Sequence, residues 1–198
     1  MRKRIFFVDI DTQSDFMHRR GALYVPGAES IIPRLKKLTA HAQKKDIPII
    51  ASVDTHSKKD QEFKQFPGHC IEGSLGQRKI KETLLKKRIR LKRKKYSTRF
   101  LTRALHSYPQ LIIEKNTFDI FSNPSAKSLF RYADTLYVYG VATDYCVKAC
   151  CLGLLKLKKD IRLVHDTVKP VDKKAGKKTL QLLRAKGVKT TTVKSLLG

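Results

Sequence analysis

Apolar runs alternate with helical patterns along this chain, and that alternation predicts its architecture. Arg4 to Ile10 (RIFFVDI) is almost continuously apolar and predicts a strand buried on both faces. Ala28 to Lys45 carries Ile31, Ile32, Leu35 and Leu38 at helical spacing. Pro33 falls near the start of that helix, where its missing N–H costs little. Ile47 to Val53 (IPIIASV) predicts a second strand. Leu111 to Glu114, Thr135 to Gly140 and Asp160 to His165 predict three more, and Val188 to Val193 predicts a sixth. Further helices fit at Arg99 to Ser107, Asn123 to Tyr132, Asp144 to Lys158 and Lys173 to Lys186. Strands interleaved with helices predict an α/β fold: three layers, α/β/α, around a six-stranded parallel sheet. In such sheets ligands bind beyond the carboxyl ends of the strands. Asp11, Asp54, His56, Lys115 and Cys146 all follow predicted strands closely.

Composition narrows the class. A chain of 198 residues with 41% apolar content suits one domain, residues 1–198, and no repeat or linker divides it. Four cysteines without a CxxC spacing form neither a disulfide framework nor a zinc cluster, so a reducing, cytoplasmic setting is expected. The start, Met1-Arg2-Lys3-Arg4, is basic and then apolar, but Asp9 and Asp11 break the run too early for a signal peptide. No stretch is long enough to span a bilayer, so no membrane partner is expected.

Charge changes the picture more. Lys and Arg number 43 against 17 Asp and Glu, a formal net charge of +26. The densest cluster is Lys86-Lys87-Arg88-Ile89-Arg90-Leu91-Lys92-Arg93-Lys94-Lys95, expected as an exposed helix or a crossover loop. Such a surface attracts polyanions without specificity. A solvated, high-pI surface is the preferred reading, because no RNA- or DNA-binding motif accompanies the run. Any nucleic-acid contact is expected to be non-specific and electrostatic.

Two constellations carry chemistry. Cys146 sits at the predicted start of a helix, where free N–H groups and the helix dipole favour a thiolate and can hold an oxyanion. Asp11 can take the thiol proton and return it to a leaving group, and Lys115 can balance the charge. A cysteine so equipped attacks a carbonyl and forms a covalent acyl-enzyme. Taken singly, these are ordinary residues: a buried cysteine, a turn aspartate and a surface lysine. The second set is Asp54-Thr55-His56 with His69 downstream. One carboxylate and two imidazoles suit zinc, iron or manganese, and Glu62 is a candidate fourth ligand. The ordinary alternative is a group of polar loop residues capping the sheet.

These residues also resemble a known family. Asp11-Thr12-Gln13-Ser14-Asp15-Phe16 is similar to the D-x-Q-x-D-F opening of the isochorismatase-like cysteine hydrolases. Gly21 to Ala28 (GALYVPGA) and Glu114-Lys115 followed by Phe118 resemble further family segments. Gly140 to Val147 (GVATDYCV) is the most specific likeness. The metal-ligand pattern of Asp54, His56 and His69 marks the nicotinamidase/pyrazinamidase branch. Pro67 to Ser74 (PGHCIEGS) follows that branch with Gly68 in place of a commoner Pro, and Glu62 or Ser57 stands where some members have a further His. The resemblance implies a catalytic triad of Asp11, Lys115 and Cys146. It also implies a cis Val141–Ala142 peptide and an oxyanion hole from the N–H groups of Ala142 and Cys146. Phe16, Phe66 and Tyr145 are candidate walls of a ring pocket. One divalent metal, zinc before iron or manganese, would orient a pyridine ring rather than activate water. The implied reaction is hydrolysis of nicotinamide to nicotinate and ammonia through a thioester, a step of NAD salvage in pyridine nucleotide metabolism. The alternative is another small amide, a ureido compound or a vinyl ether. The sequence leaves the oligomeric state open, and the 86–95 run has no counterpart in the family pattern.

Overall fold

The computed structural model describes residues 4–198, so the basic start at Met1 to Lys3 lies outside the described residues. The strands are β1 (Ile5–Ile10), β2 (Ile49–Asp54), β3 (Arg88–Leu91), β4 (Gln110–Lys115), β5 (Thr135–Val141), β6 (Asp160–Lys169) and β7 (Lys189–Thr191). They form one sheet of seven strands in the order β3-β4-β2-β1-β5-β6-β7, and every pairing is parallel. The sheet therefore has seven strands rather than six. The added strand is β3, inside the basic run expected as a helix or loop. Arg88-Ile89-Arg90-Leu91 alternates charged and apolar residues, turning Ile89 and Leu91 to the core and both arginines to solvent. That is the pattern of a strand at a sheet edge, where charge blocks further pairing.

Helices cover both faces. α1 (Ser14–Met17), α2 (Ile32–Lys44) and α7 (Val193–Leu197) pack with Phe7, Ile49, Tyr139 and Val164 on one side. α3 (Thr98–Ser107), α4 (Ala126–Phe130), α5 (Lys148–Lys156) and α6 (Lys173–Ala185) pack with Val8, Ile50, Ile113, Val138 and Leu163 on the other. Neighbouring residues of one strand thus enter opposite cores, which is why these strands read as unbroken apolar runs.

Three expected helices are shorter at their starts, and the 123–132 segment is helical only as α4. The 28–45 segment opens as a 3-10 turn, Ala28–Ile31, before α2. The 144–158 segment opens as a π-turn, Thr143–Val147, before α5, so Cys146 sits in that wider turn and not in a regular first α-turn.

The topology places the site. From β1 the chain adds β2 alongside, crosses to β3 at the edge, comes back to set β4 between β3 and β2, and then returns to lay β5 along the other edge of β1. A crevice opens where the direction reverses, at the carboxyl ends of β1 and β5. Ile10 pairs with Gly140 there, so the loops carrying Asp11 and Cys146 leave the sheet side by side. Gly140 has φ +113°, and a Cβ on it would lie 2.0 Å from the Ile10 carbonyl oxygen. No larger residue permits this approach of β1 and β5.

Candidate active site

Lys115, the last residue of β4, is fully buried and organises the site. Its Nζ lies 2.8 Å from Asp11 Oδ2 and 2.5 Å from Asp54 Oδ1. It also donates to the Thr117 carbonyl at 3.0 Å and reaches Cys146 Sγ at 3.8 Å. Asp11 turns the chain at the end of β1 with φ 49°, a left-handed position that aspartate tolerates. Ser52 Oγ donates to its other oxygen at 2.6 Å. Cys146 is the one partly exposed cysteine among four free thiols; Cys70, Cys150 and Cys151 are sealed in the interior.

Burial acts against charge here. It works to lower the Lys115 ammonium, but the carboxylates of Asp11 and Asp54 outweigh it and hold the group well above its ordinary pKa. Burial pushes the Cys146 thiol well up, and the pull of Lys115 recovers only part of that. The sequence favoured a resting thiolate. The structure favours a neutral thiol at rest, beside a carboxylate oxygen of Asp11 no more than 4.8 Å away.

The second set forms on the same side. One ligand atom each from Asp54, His56 and His69 lies within 4.8 Å of the other two, and all three residues are buried. His69 Nδ1 pairs with the Pro67 carbonyl at 2.8 Å, which directs the Nε2 lone pair inward, 4.0 Å from Asp54 Oδ2 and 3.9 Å from Glu62 Oε1. Burial lowers the His69 pKa and keeps the ring neutral, the form that ligates. Both ring nitrogens of His56 are buried without a hydrogen-bond partner, although Asp60 Oδ2 stands 3.2 Å from Nδ1. Orphaned imidazole nitrogens beside a carboxylate and a second imidazole fit a divalent first-row metal. Burial raises the Asp54 and Glu62 carboxyls.

A cavity of about 110 Å³ opens over both sets. Phe16, Phe66 and Tyr145 all line it, with Asp54, Glu62, His69, Ala142 and Cys146. Its size is of the order that accommodates a single aromatic ring. Leu23, Val25, Phe118, Val141 and Val171 also line it and were not singled out from the sequence as pocket walls. Phe118 and Val171 stand at the mouth, 52% and 43% exposed. The Val141–Ala142 peptide is cis, as the resemblance implied. Among the described residues, the amides of Ala142 and Cys146 donate to no carbonyl outside the regular elements, whereas Tyr145 and Val147 both donate to the Ala142 carbonyl.

The opening motif supplies the frame. Gln13 Nε2 donates to the Asp54 carbonyl at 2.9 Å and the Gln77 carbonyl at 2.8 Å, while its Oε1 accepts from the Asp54 amide at 2.6 Å. Asp15 accepts from the amides of Ala22 and Cys70, tying down the residue next to His69. Asp144 accepts from the amides of Val171 and Asp172, closing the pocket rim. Gln13→Ala would leave three buried backbone groups without partners. It should lower the unfolding free energy by about 2–4 kcal/mol, read from urea denaturation.

The isochorismatase domain model matches residues 6–108 and 98–195. The nicotinamidase of Saccharomyces cerevisiae is 22% identical over 195 residues, covering 82% of this chain and 86% of its own. Pyrazinamidase of Pyrococcus horikoshii, solved in complex with zinc, superposes with a TM-score of 0.80 at 23% identity, over 96% of this chain and 99% of that one. PnC1 of L. infantum, solved in complex with nicotinate, gives a TM-score of 0.78 at 20% identity, over 98% and 94%. With its sheet order, its cysteine loop and nearly its whole length accounted for, this chain belongs to the isochorismatase domain family.

Proposed function

We propose that this chain is a metal-containing cysteine amidohydrolase that converts nicotinamide to nicotinate and ammonia. The observation that carries this is Lys115. Its ammonium joins Asp11 to Asp54, and so couples the thiol to the metal-ligand triad beneath a pocket of single-ring size.

Asp11 removes the thiol proton as Cys146 Sγ attacks the carboxamide carbon. The N–H groups of Ala142 and Cys146 hold the resulting oxyanion, worth about 3 kcal/mol per donor in comparable sites. The C–N bond then breaks, the Asp11 proton passes to the departing nitrogen, and ammonia leaves a thioester. Asp11 next deprotonates a water that attacks the thioester carbon. The carboxylate leaves and the proton returns to sulfur. Lys115 keeps the site's charge balanced as the proton moves between Asp11 and Cys146. Asp54, His56 and His69 would hold one divalent ion, zinc first among the choices, with Glu62 as a further donor; such an ion supplies a Lewis acid for a pyridine nitrogen. Phe16, Phe66 and Tyr145 flank the ring and exclude water around it. The reaction belongs to pyridine nucleotide salvage. The relatives described above, one bound to zinc and one to nicotinate, support this reading.

The test is ammonia release from nicotinamide against a panel of small amides and ureido compounds, before and after chelation. Nicotinamide should be preferred. Chelation should lower its turnover by about two orders of magnitude, the scale of a Lewis-acid contact worth several kcal/mol, and added zinc should restore it. Undiminished turnover after chelation, with a ureido compound preferred, would replace this assignment with a metal-free one.

A further inference from the structure

On one face of the sheet, the edge formed by β2, β4 and β3 is covered by the 77–86 loop. Ala51, Val53 and Ile112 form a small apolar cluster of their own there, backed by Leu84. Between loop and strands runs a groove of about 560 Å³. Val53 and Ile112 lie in its walls together with Arg78, Lys79, Lys86, Arg88 and Arg90. Two of these cations are spoken for: Lys79 pairs with Asp9 at 2.9 Å, and Arg90 with Glu114 at 2.7 Å. Arg78, Lys86 and Arg88 have no carboxylate within 4.0 Å among the described residues. Arg88 is held in place by donating to the Leu85 carbonyl at 2.7 Å. Residues 78–95 contain eleven Lys and Arg and a single carboxylate, Glu82. No residue of the groove lines the catalytic cavity.

We propose that this groove binds single-stranded nucleic acid without sequence preference. Its phosphates meet Arg78, Lys86 and Arg88, and its bases rest against half-buried Leu84 and the guanidinium plane of Arg90 in the groove wall. Charge complementarity selects a polyanion, and the shape of the groove selects among polyanions. Val53 and Ile112 at the floor are only 2% and 6% exposed, so half-buried Leu84 is the apolar side chain of the groove that a ligand reaches. One half-buried leucine gives a flat bilayer too little to insert on, whereas a flexible strand can turn single bases inward while its backbone stays at the rim. A second copy of this chain carries the same +26 charge and is repelled.

The test is fluorescence anisotropy of a labelled oligouridylate of about twelve nucleotides with the full chain, titrated across potassium chloride. Arg78→Ser/Lys86→Ser/Arg88→Ser should weaken binding at least about tenfold near 100 mM salt, and should lower the log–log salt slope by about 2, since each lost phosphate contact contributes about 0.7. Lys174→Ser/Lys177→Ser/Lys178→Ser on α6 removes the same charge from exposed positions and should change affinity less than about twofold. Circular dichroism checks both folds. If the groove triple unfolds, Lys86→Glu alone, at an exposed position, should weaken binding about threefold or more. Equal losses in the two triples would reduce the effect to bulk charge and overturn the proposal. So would absent binding at low salt, or groove-dependent displacement of the RNA by phosphatidylserine vesicles.

Discussion

Cys146→Ala is expected to abolish ammonia release from nicotinamide, by about four orders of magnitude or more, while the fold survives. The loss is large because no other sulfur can take over. Cys150 and Cys151 follow within five residues, but both are fully buried in the core beneath α5, and Cys70 is sealed in the opposite core. The stability change is small because Cys146 packs only partly into the interior and opens onto the cavity. A coupled ammonia assay and thermal melting of the same preparation separate the two effects. Turnover within about tenfold of wild type would mean that water attacks the amide directly and no thioester forms.

Lys115→Met should cost the fold about 3–5 kcal/mol, because it strands two carboxylates in an interior that excludes water. Asp11 and Asp54 would face each other without their ammonium, and the Thr117 carbonyl would lose its donor. The deficit should depend on pH, with a sign that follows from burial. A carboxyl with no partner has a folded-state pKa above its unfolded one, so the variant is most stable where the group is protonated. It loses stability as pH rises through the raised value. Burial already raises Asp54 to about 8 beside Lys115, so urea denaturation should show the gap to wild type widening above about pH 8, where Asp54 ionises in the wild type but not without the ammonium. Adding Asp11→Asn and Asp54→Asn to Lys115→Met should return more than half of the loss. A Lys115→Met protein as stable as wild type at every pH would show that the two carboxyls already share a proton and do not need the cation.

Much of this arrangement was legible in the chain because each reactive residue follows an apolar strand. The strands β1, β2, β4 and β5 are buried on both faces, so they announce themselves, and the polar residues at their ends stand out. The edge strand β3 was hidden for the converse reason. It buries only Ile89 and Leu91, and the dense cations around them mask the period of two. The role of Gln13 was equally hidden: its motif was visible, but its three partners come from residues 54 and 77, which only the fold brings near. Val171 reaches the pocket mouth through Asp144, a link between positions 27 residues apart in sequence. The protonation of Cys146 could not be read either, since it depends on how far burial outweighs a cation 3.8 Å away.

One ammonium serving two carboxylates carries a consequence for anyone redesigning this scaffold. The proposed triad and the proposed ligand cluster are not interchangeable modules, because Asp54 of the latter pairs with Lys115 of the former. Grafting a different loop in place of His69 would alter the charge that Asp11 shares through Lys115, and replacing Cys146 would alter the charge that Asp54 shares through the same ammonium. Substrate range and reactivity should therefore shift together when either half is altered.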